Sequence, residues 1–97
     1  MKVYVHPSVV DELNEAAKFY ADRADQALGL AFIAEFERAL NLLSASPELG
    51  ANWRGTARRF SLRRFPYNLV YQLKPDEIRI IALAHQRRYP SYWKSRS

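Results

Sequence analysis

The chain contains no cysteine, which excludes disulfides and thiolate metal sites and suits a reducing compartment; a cytoplasmic location is expected. Its two histidines, His6 and His85, belong to no paired ligand spacing, so a metal site is not expected. With three glycines it has no glycine-rich phosphate loop, and nothing calls for a cofactor. No apolar run approaches the roughly 18 residues that span a bilayer. The opening Met1–Pro7 stretch lacks the long apolar core of a signal peptide, so neither membrane contact nor secretion is expected. Acidic residues are almost missing from the second half: after Trp53 only Asp76 and Glu77 occur.

What remains is the composition of an ordinary globular chain, 48% apolar and 26% charged. Ninety-seven residues suit one domain spanning 1–97. The net charge of +5 is unevenly placed. Residues 1–53 carry four basic and eight acidic groups, a net of −4; residues 54–97 carry eleven basic and two acidic groups, a net of +9. Such asymmetry points to an anionic partner on one part of the molecule. Most of the excess is arginine, which grips carboxylate and phosphate with two hydrogen bonds at once.

Lys2 to His6 alternates and reads as a strand. Pro7 suits the first turn of a helix, and Ser8 followed by Asp11 offers a weak cap. Val9 or Val10, Leu13, Ala16, Ala17, Tyr20 and Ala24 then recur at helical spacing. Asp25 can cap a second helix, whose stripe runs Leu28, Ala31, Phe32, Phe36, Ala39, Leu40 and Leu43, interrupted by Glu35. Pro47 ends it. The short connection makes an antiparallel helical hairpin. Ser46 to Gly55, with Pro47, Gly50 and Gly55, reads as a loop.

From Ala57 the period becomes two. Arg58, Phe60 and Leu62 share one side; Arg59, Ser61 and Arg63 share the other. A second strand follows Phe65-Pro66, with Tyr67, Leu69, Tyr71 and Leu73 alternating against Asn68, Val70, Gln72 and Lys74. Pro75-Asp76-Glu77 turns the chain. Ile78 to Ala84 is apolar on both faces except at Arg79, as a central strand should be. The expected fold is α+β in the order β-α-α-β-β-β. A three-stranded antiparallel meander has the helices on one face and the first strand at its edge. The far face would display Arg59, Ser61 and Arg63 beside Asn68. Gln86 to Ser97 is either a final helical turn or an ordered tail.

Two basic aromatic segments carry the chemistry: Arg58 to Tyr67, with Arg58, Arg59, Arg63 and Arg64, and Arg87 to Lys94, with Arg87, Arg88, Tyr89, Tyr92 and Trp93. Guanidinium groups hold phosphates and rings stack on bases, which suits RNA. The same residues equally suit an acidic protein partner. Phe60, Phe65, Tyr67 and Tyr71 read mainly as core. The carboxylates of Glu12 and Glu15, or Glu35 and Glu37, read as solvated helix faces. His85, ending an apolar strand, is open to a structural or a functional reading.

The run Phe65-Pro66-Tyr67-Asn68-Leu69-Val70-Tyr71, followed by Ile80-Ile81-Ala82-Leu83-Ala84-His85-Gln86-Arg87-Arg88-Tyr89-Pro90-Ser91-Tyr92-Trp93, resembles the RelE/ParE toxin superfamily. It is most similar to the ParE-like, plasmid-stabilisation branch, over nearly the whole chain. The resemblance implies the toxin of a type II toxin–antitoxin module, neutralised by a small antitoxin that wraps it in a hetero-oligomer. It further implies a growth-inhibiting target. In ParE-like members this is DNA gyrase, a protein partner. In RelE-like members it is mRNA on the ribosome, cut without metal by basic sheet residues and a C-terminal tyrosine or histidine. Laid on the RelE pattern, the basic sheet positions fall at Arg59, Ser61 and Asn68, the C-terminal arginine at Arg87, and the tyrosine at Trp93 with Tyr92 adjacent. A nuclease built from Arg59, His85, Arg87 and Tyr92, with Arg88 beside them, is therefore the alternative to gyrase inhibition. Catalysis stays open at this stage, with the ParE-like reading preferred.

Overall fold

The computed structural model describes residues 2–87 and 90–96. Strand β1 (Lys2–Val5) leads into helix α1 (Pro7–Arg23), and α2 (Gln26–Ala45) returns antiparallel to it. Strands β2 (Ala51–Arg54), β3 (Ala57–Ser61), β4 (Tyr67–Lys74) and β5 (Glu77–His85) follow, and a 3₁₀ helix (Pro90–Arg96) closes the chain. The sheet order is β1-β5-β4-β3-β2. β1 runs parallel to β5, and every other pair is antiparallel.

Two features correct the sequence reading. The meander has four strands, because residues 51–54, read as loop, form β2 and pair with β3 from Ala51 opposite Arg59 to Arg54 opposite Ala57. Gly55, in the left-handed region at φ +55°, turns the chain between them, a conformation glycine adopts at little cost. The cap of α1 is not the Ser8–Asp11 pattern: His6 Nδ1 accepts a hydrogen bond from the Ser8 backbone N–H at 3.1 Å, and Pro7 takes the first turn. Asp25 caps α2 as expected, accepting from Leu28 N at 2.9 Å.

The helical stripes meet the sheet as their spacing requires. Val9, Ala16 and Ala17 from α1 and Phe32, Phe36, Ala39 and Leu43 from α2 are buried with Leu69, Tyr71, Ile78, Ile80 and Leu83. Of the two candidates at the start of α1, Val9 is buried and Val10 is 49% exposed. Rings knit this layer together: Phe32 lies edge-on to Phe65 and to Tyr67, both at 5.0 Å between centroids. Gly29 lets the helices approach, since a Cβ there would sit 2.7 Å from the Ala17 carbonyl oxygen.

The far face of the sheet also holds a core. Ala57, Val70, Ile81, Ala82 and Ala84 bury against Trp93 of the 3₁₀ helix, with Trp53 and Tyr92 packed partly upon them. A bulge in β5 makes this layer wide. Val70 pairs with Ala82 and Tyr71 with Ile80, so Ile81 is extra and turns to the far face beside Ala82. The polar display expected there is confined to one corner of the sheet.

β1 ends opposite Ile80, which leaves the second half of β5 without a strand on that side. Glu12 and Arg96 cover it. Leu83 N donates to Glu12 Oε1 at 3.0 Å, Arg96 Nη1 donates to the Ile81 carbonyl at 3.2 Å, and the two side chains pair with each other at 3.0 Å. An otherwise open strand edge is thus closed by an ion pair. Glu12, read as a solvated carboxylate, is a half-buried structural one.

Candidate functional site

The polar corner forms where β3 and β4 leave the far-face core. Arg59 and Ser61 project from β3 on the side opposite Phe60, and Asn68 pairs with Ser61 across the ladder. Ser61 Oγ donates to Asn68 Oδ1 at 2.9 Å, and Gln86 Nε2 reaches the same oxygen at 3.4 Å. With Arg59 these residues line a cleft of about 270 Å³. The Arg59 guanidinium lies 4.8 Å from the Trp53 ring centroid, and Trp53 in turn packs at a tilt against Trp93, 5.7 Å between centroids. Trp53 and Gln86 were not among the expected site residues; a tryptophan among loop-like residues was the one signal for the first.

The other arginines disperse. Arg58 is structural: its Nη1 donates to the Gly50 carbonyl at 2.7 Å and to that of Glu48 at 3.4 Å, pinning the loop that leads from α2 to β2. The same loop is held by Tyr71, whose hydroxyl accepts from Gly50 N and donates to the Pro47 carbonyl, each at 2.8 Å. Burial raises the Tyr71 phenol above its ordinary value. Arg63 is exposed and lies beyond the end of β3. Its backbone N–H donates to Glu35 Oε2 at 2.6 Å on the helix side. Arg64, at φ 70°, stands over Phe65 and lines a depression beside Leu28 and Ala31. Arg87 is exposed just past β5. Arg88 and Tyr89 lie outside the described residues.

His85 falls on the helix side, and Tyr92, packed partly on the far-face core, reaches the same cavity. His85 pairs with Tyr67 across the ladder and meets its ring edge-on at 5.2 Å; its Nδ1 accepts from Arg87 N at 3.1 Å. His85 and Tyr92 line a cavity of about 220 Å³ with Glu12, Glu15, Phe19 and Tyr67. Arg59 and His85 therefore face opposite sides of the sheet. Trp93 is 3% exposed, a core residue rather than a surface contact. Among the described residues no group of three or more His, Asp or Glu is placed to hold a metal ion. None of their helices is long and apolar enough to cross a membrane.

The same order of elements recurs in known proteins. The family model described as "ParE toxin of type II toxin-antitoxin system, parDE" matches residues 3–90. The chain belongs to the ParE toxin family. The match runs from β1 through the helical hairpin and the meander to the start of the 3₁₀ helix. A solved structure described as "Chromosomal ParDE TA system from P. aeruginosa" is similar in fold, with a TM-score of 0.77 and 17% identity, covering 88% of this chain and 95% of that one. No curated protein matches the chain. Membership of the ParE family accounts for the order of elements and implies an antitoxin partner.

Proposed function

We propose that this ParE-family toxin arrests growth by binding a protein target, DNA gyrase, in the cytoplasm, and that a cognate antitoxin silences it in a hetero-oligomer. The observation that carries the reading is the separation of Arg59 from His85 by the sheet. Cleavage of RNA through its 2′-oxygen needs a proton acceptor, a proton donor and stabilising cations at one phosphate. Beside Arg59 stand a serine, an asparagine and a glutamine, none of which takes up a proton usefully near neutral pH. The imidazole faces the other side.

What the Arg59 corner does offer is a guanidinium laid on a tryptophan, with Arg54 over the same ring at 5.4 Å and Arg87 exposed beyond the end of β5. Arginine and tryptophan dominate binding energy at protein interfaces. The test is the purified chain in two assays, gyrase-driven supercoiling and cleavage of ribosome-bound mRNA. The expected result is loss of supercoiling with intact message, reversed by the antitoxin. Message cut on the ribosome with supercoiling untouched overturns the proposal.

A further inference from the structure

Beyond Ile80, where β1 stops, β5 borders the cavity of about 220 Å³ between α1 and the 3₁₀ helix. Its walls hold three rings, Phe19, Tyr67 and Tyr92, with the carboxylates of Glu12 and Glu15 and the imidazole of His85. The charges around it nearly balance. Glu12 is committed to Arg96 and to Leu83 N. Arg23, over the Phe19 ring at 4.7 Å, brings to the rim a positive charge that offsets Glu15. Such walls favour neither a lone cation nor a lone anion. The volume is below the roughly 300–1,000 Å³ of a drug-sized ligand's pocket and suits one small planar group. Phe19 gives that group a surface: it is 48% exposed, yet fixed edge-on to Tyr20 at 5.4 Å. A nucleobase stacks on an accessible, fixed ring of this kind.

The polar groups select among bases. Glu15 is exposed on the cavity and, ionised, offers acceptors only. The His85 ring offers a donor: its Nδ1 accepts from Arg87 N at 3.1 Å, so the neutral ring bears its proton on Nε2. A base that satisfies both presents two adjacent donors to the carboxylate and an acceptor to the imidazole. Guanine does so, with its N1–H and exocyclic amine beside O6. Adenine and cytosine set a ring nitrogen that accepts next to their amine, and uracil sets its one N–H between two carbonyls. Each of these turns an acceptor toward the carboxylate. Arg87, exposed two residues after His85, supplies a guanidinium for a phosphate of the same nucleotide.

We propose that this cavity is a receptor site for a guanine base. The base stacks on Phe19, gives its N1–H and amine to Glu15, and takes the His85 Nε2–H at O6, with its phosphate at Arg87. A free guanine nucleotide and a guanine in single-stranded nucleic acid both bring this chemistry. The site faces away from the Arg59 corner and does not rest on the gyrase reading.

The experiment titrates the full chain, labelled with ¹⁵N, and follows the backbone amides of Leu83, His85 and Arg87. Two pairs of ligands are compared: GMP with AMP, and a short oligothymidylate bearing one central guanine with the same oligomer lacking it. The guanine member of a pair is expected to move the signals saturably and to bind at least about tenfold more tightly than its counterpart. A preference within the nucleotide pair assigns the site to a free nucleotide. A preference confined to the oligomers, or stronger there, assigns it to single-stranded nucleic acid. Glu15→Gln is expected to remove the preference, and Phe19→Ala to weaken every ligand by about tenfold. Both residues are exposed, so an otherwise unchanged amide spectrum will establish that each variant is folded. Preference for guanine in neither pair overturns the proposal, as does a preference that survives Glu15→Gln in the folded variant. Supercoiling measured in parallel separates the two readings: a chain that selects guanine but leaves gyrase untouched fails the proposed function and not this site.

Discussion

Glu35 interrupts the apolar stripe of α2 because three donors converge on it. Arg38 Nε and Nη2 reach its two oxygens at 2.7 and 2.6 Å, and Arg63 N meets it at 2.6 Å. The carboxyl is held below its ordinary value near 4.5, chiefly by the Arg38 hydrogen bonds and then, against the opposing effect of burial, by the Arg63 N–H. The folded chain thus binds this proton less tightly than the unfolded chain. The resulting stability is present in full above about pH 4.5 and is lost as pH falls through the lower folded value. Glu35→Gln is expected to flatten the acid limb of stability against pH, by up to one proton. Urea unfolding in a pH series from about 3 to 7 reads this as a smaller change in slope than in the wild type.

At the same scale, His85 and Arg59 separate the two modes of toxicity. His85→Ala, checked for folding because the ring packs on Tyr67, is expected to remain toxic and to inhibit gyrase. Arg59→Ala is expected to weaken target binding by roughly thirtyfold, the effect of about 2 kcal/mol at an interface hot spot. Growth arrest on induction and a supercoiling titration check both. Abolition of toxicity by His85→Ala in a folded protein would point to proton transfer instead.

Among the elements, the 3₁₀ helix and the β5 bulge make a second core possible. The extra residue at Ile81 places two neighbouring apolar side chains on the far face, and Trp93 covers them. The helix is held from the other side of β5 by Arg96, which pairs with Glu12. Removing the indole leaves a cavity over Val70, Ile81 and Ala82. Trp93→Ala is therefore expected to cost about 3–5 kcal/mol, a large part of the stability of a small domain. Denaturant unfolding will show a lowered midpoint. Any loss of toxicity in this variant then results from unfolding rather than from a missing contact. The helical hairpin depends on an opposite device, the absence of a side chain at Gly29, where α1 passes close by.

Over the whole molecule the charge divides by layer. Most of the acidic residues stand on α1 and α2, whereas the β strands and the C-terminal segment carry the basic excess. The resulting field favours approach of an acidic partner to the sheet side, and such steering is screened within about 10 Å at 0.1 M salt. Association with the antitoxin is expected to slow as salt rises from low to physiological concentration, while dissociation changes little. Stopped-flow binding at several salt concentrations measures the two rates separately. An association rate indifferent to salt would assign recognition to apolar contact alone.

Local pattern accounts for most of this fold. The change from period 3.6 to period 2, Pro7, Asp25 and Pro47 at helix ends, and the Pro75-Asp76 turn mark α1, α2, β3, β4 and β5 from adjacent residues. β2 escaped because its four residues gain strand geometry only by pairing with β3, and Gly50 and Gly55 on either side resemble loop chemistry. The motif at Phe65 to Tyr71 and the segment beyond Ile80 were enough to identify the toxin family. The placement of the candidate residues was not contained in them. Which arginines stay free depends on contacts such as those of Arg58 with the Gly50 and Glu48 carbonyls, which approach it only after folding. Which side His85 faces depends on its pairing with Tyr67, beyond a bulge whose extra residue breaks simple alternation. Trp93 and Glu12 were read as surface because their burial comes from contacts made across the chain, and Arg96 finds Glu12 from 84 residues away. Periodicity reports the neighbours a residue has along the chain; burial and hydrogen bonding report those it meets in space.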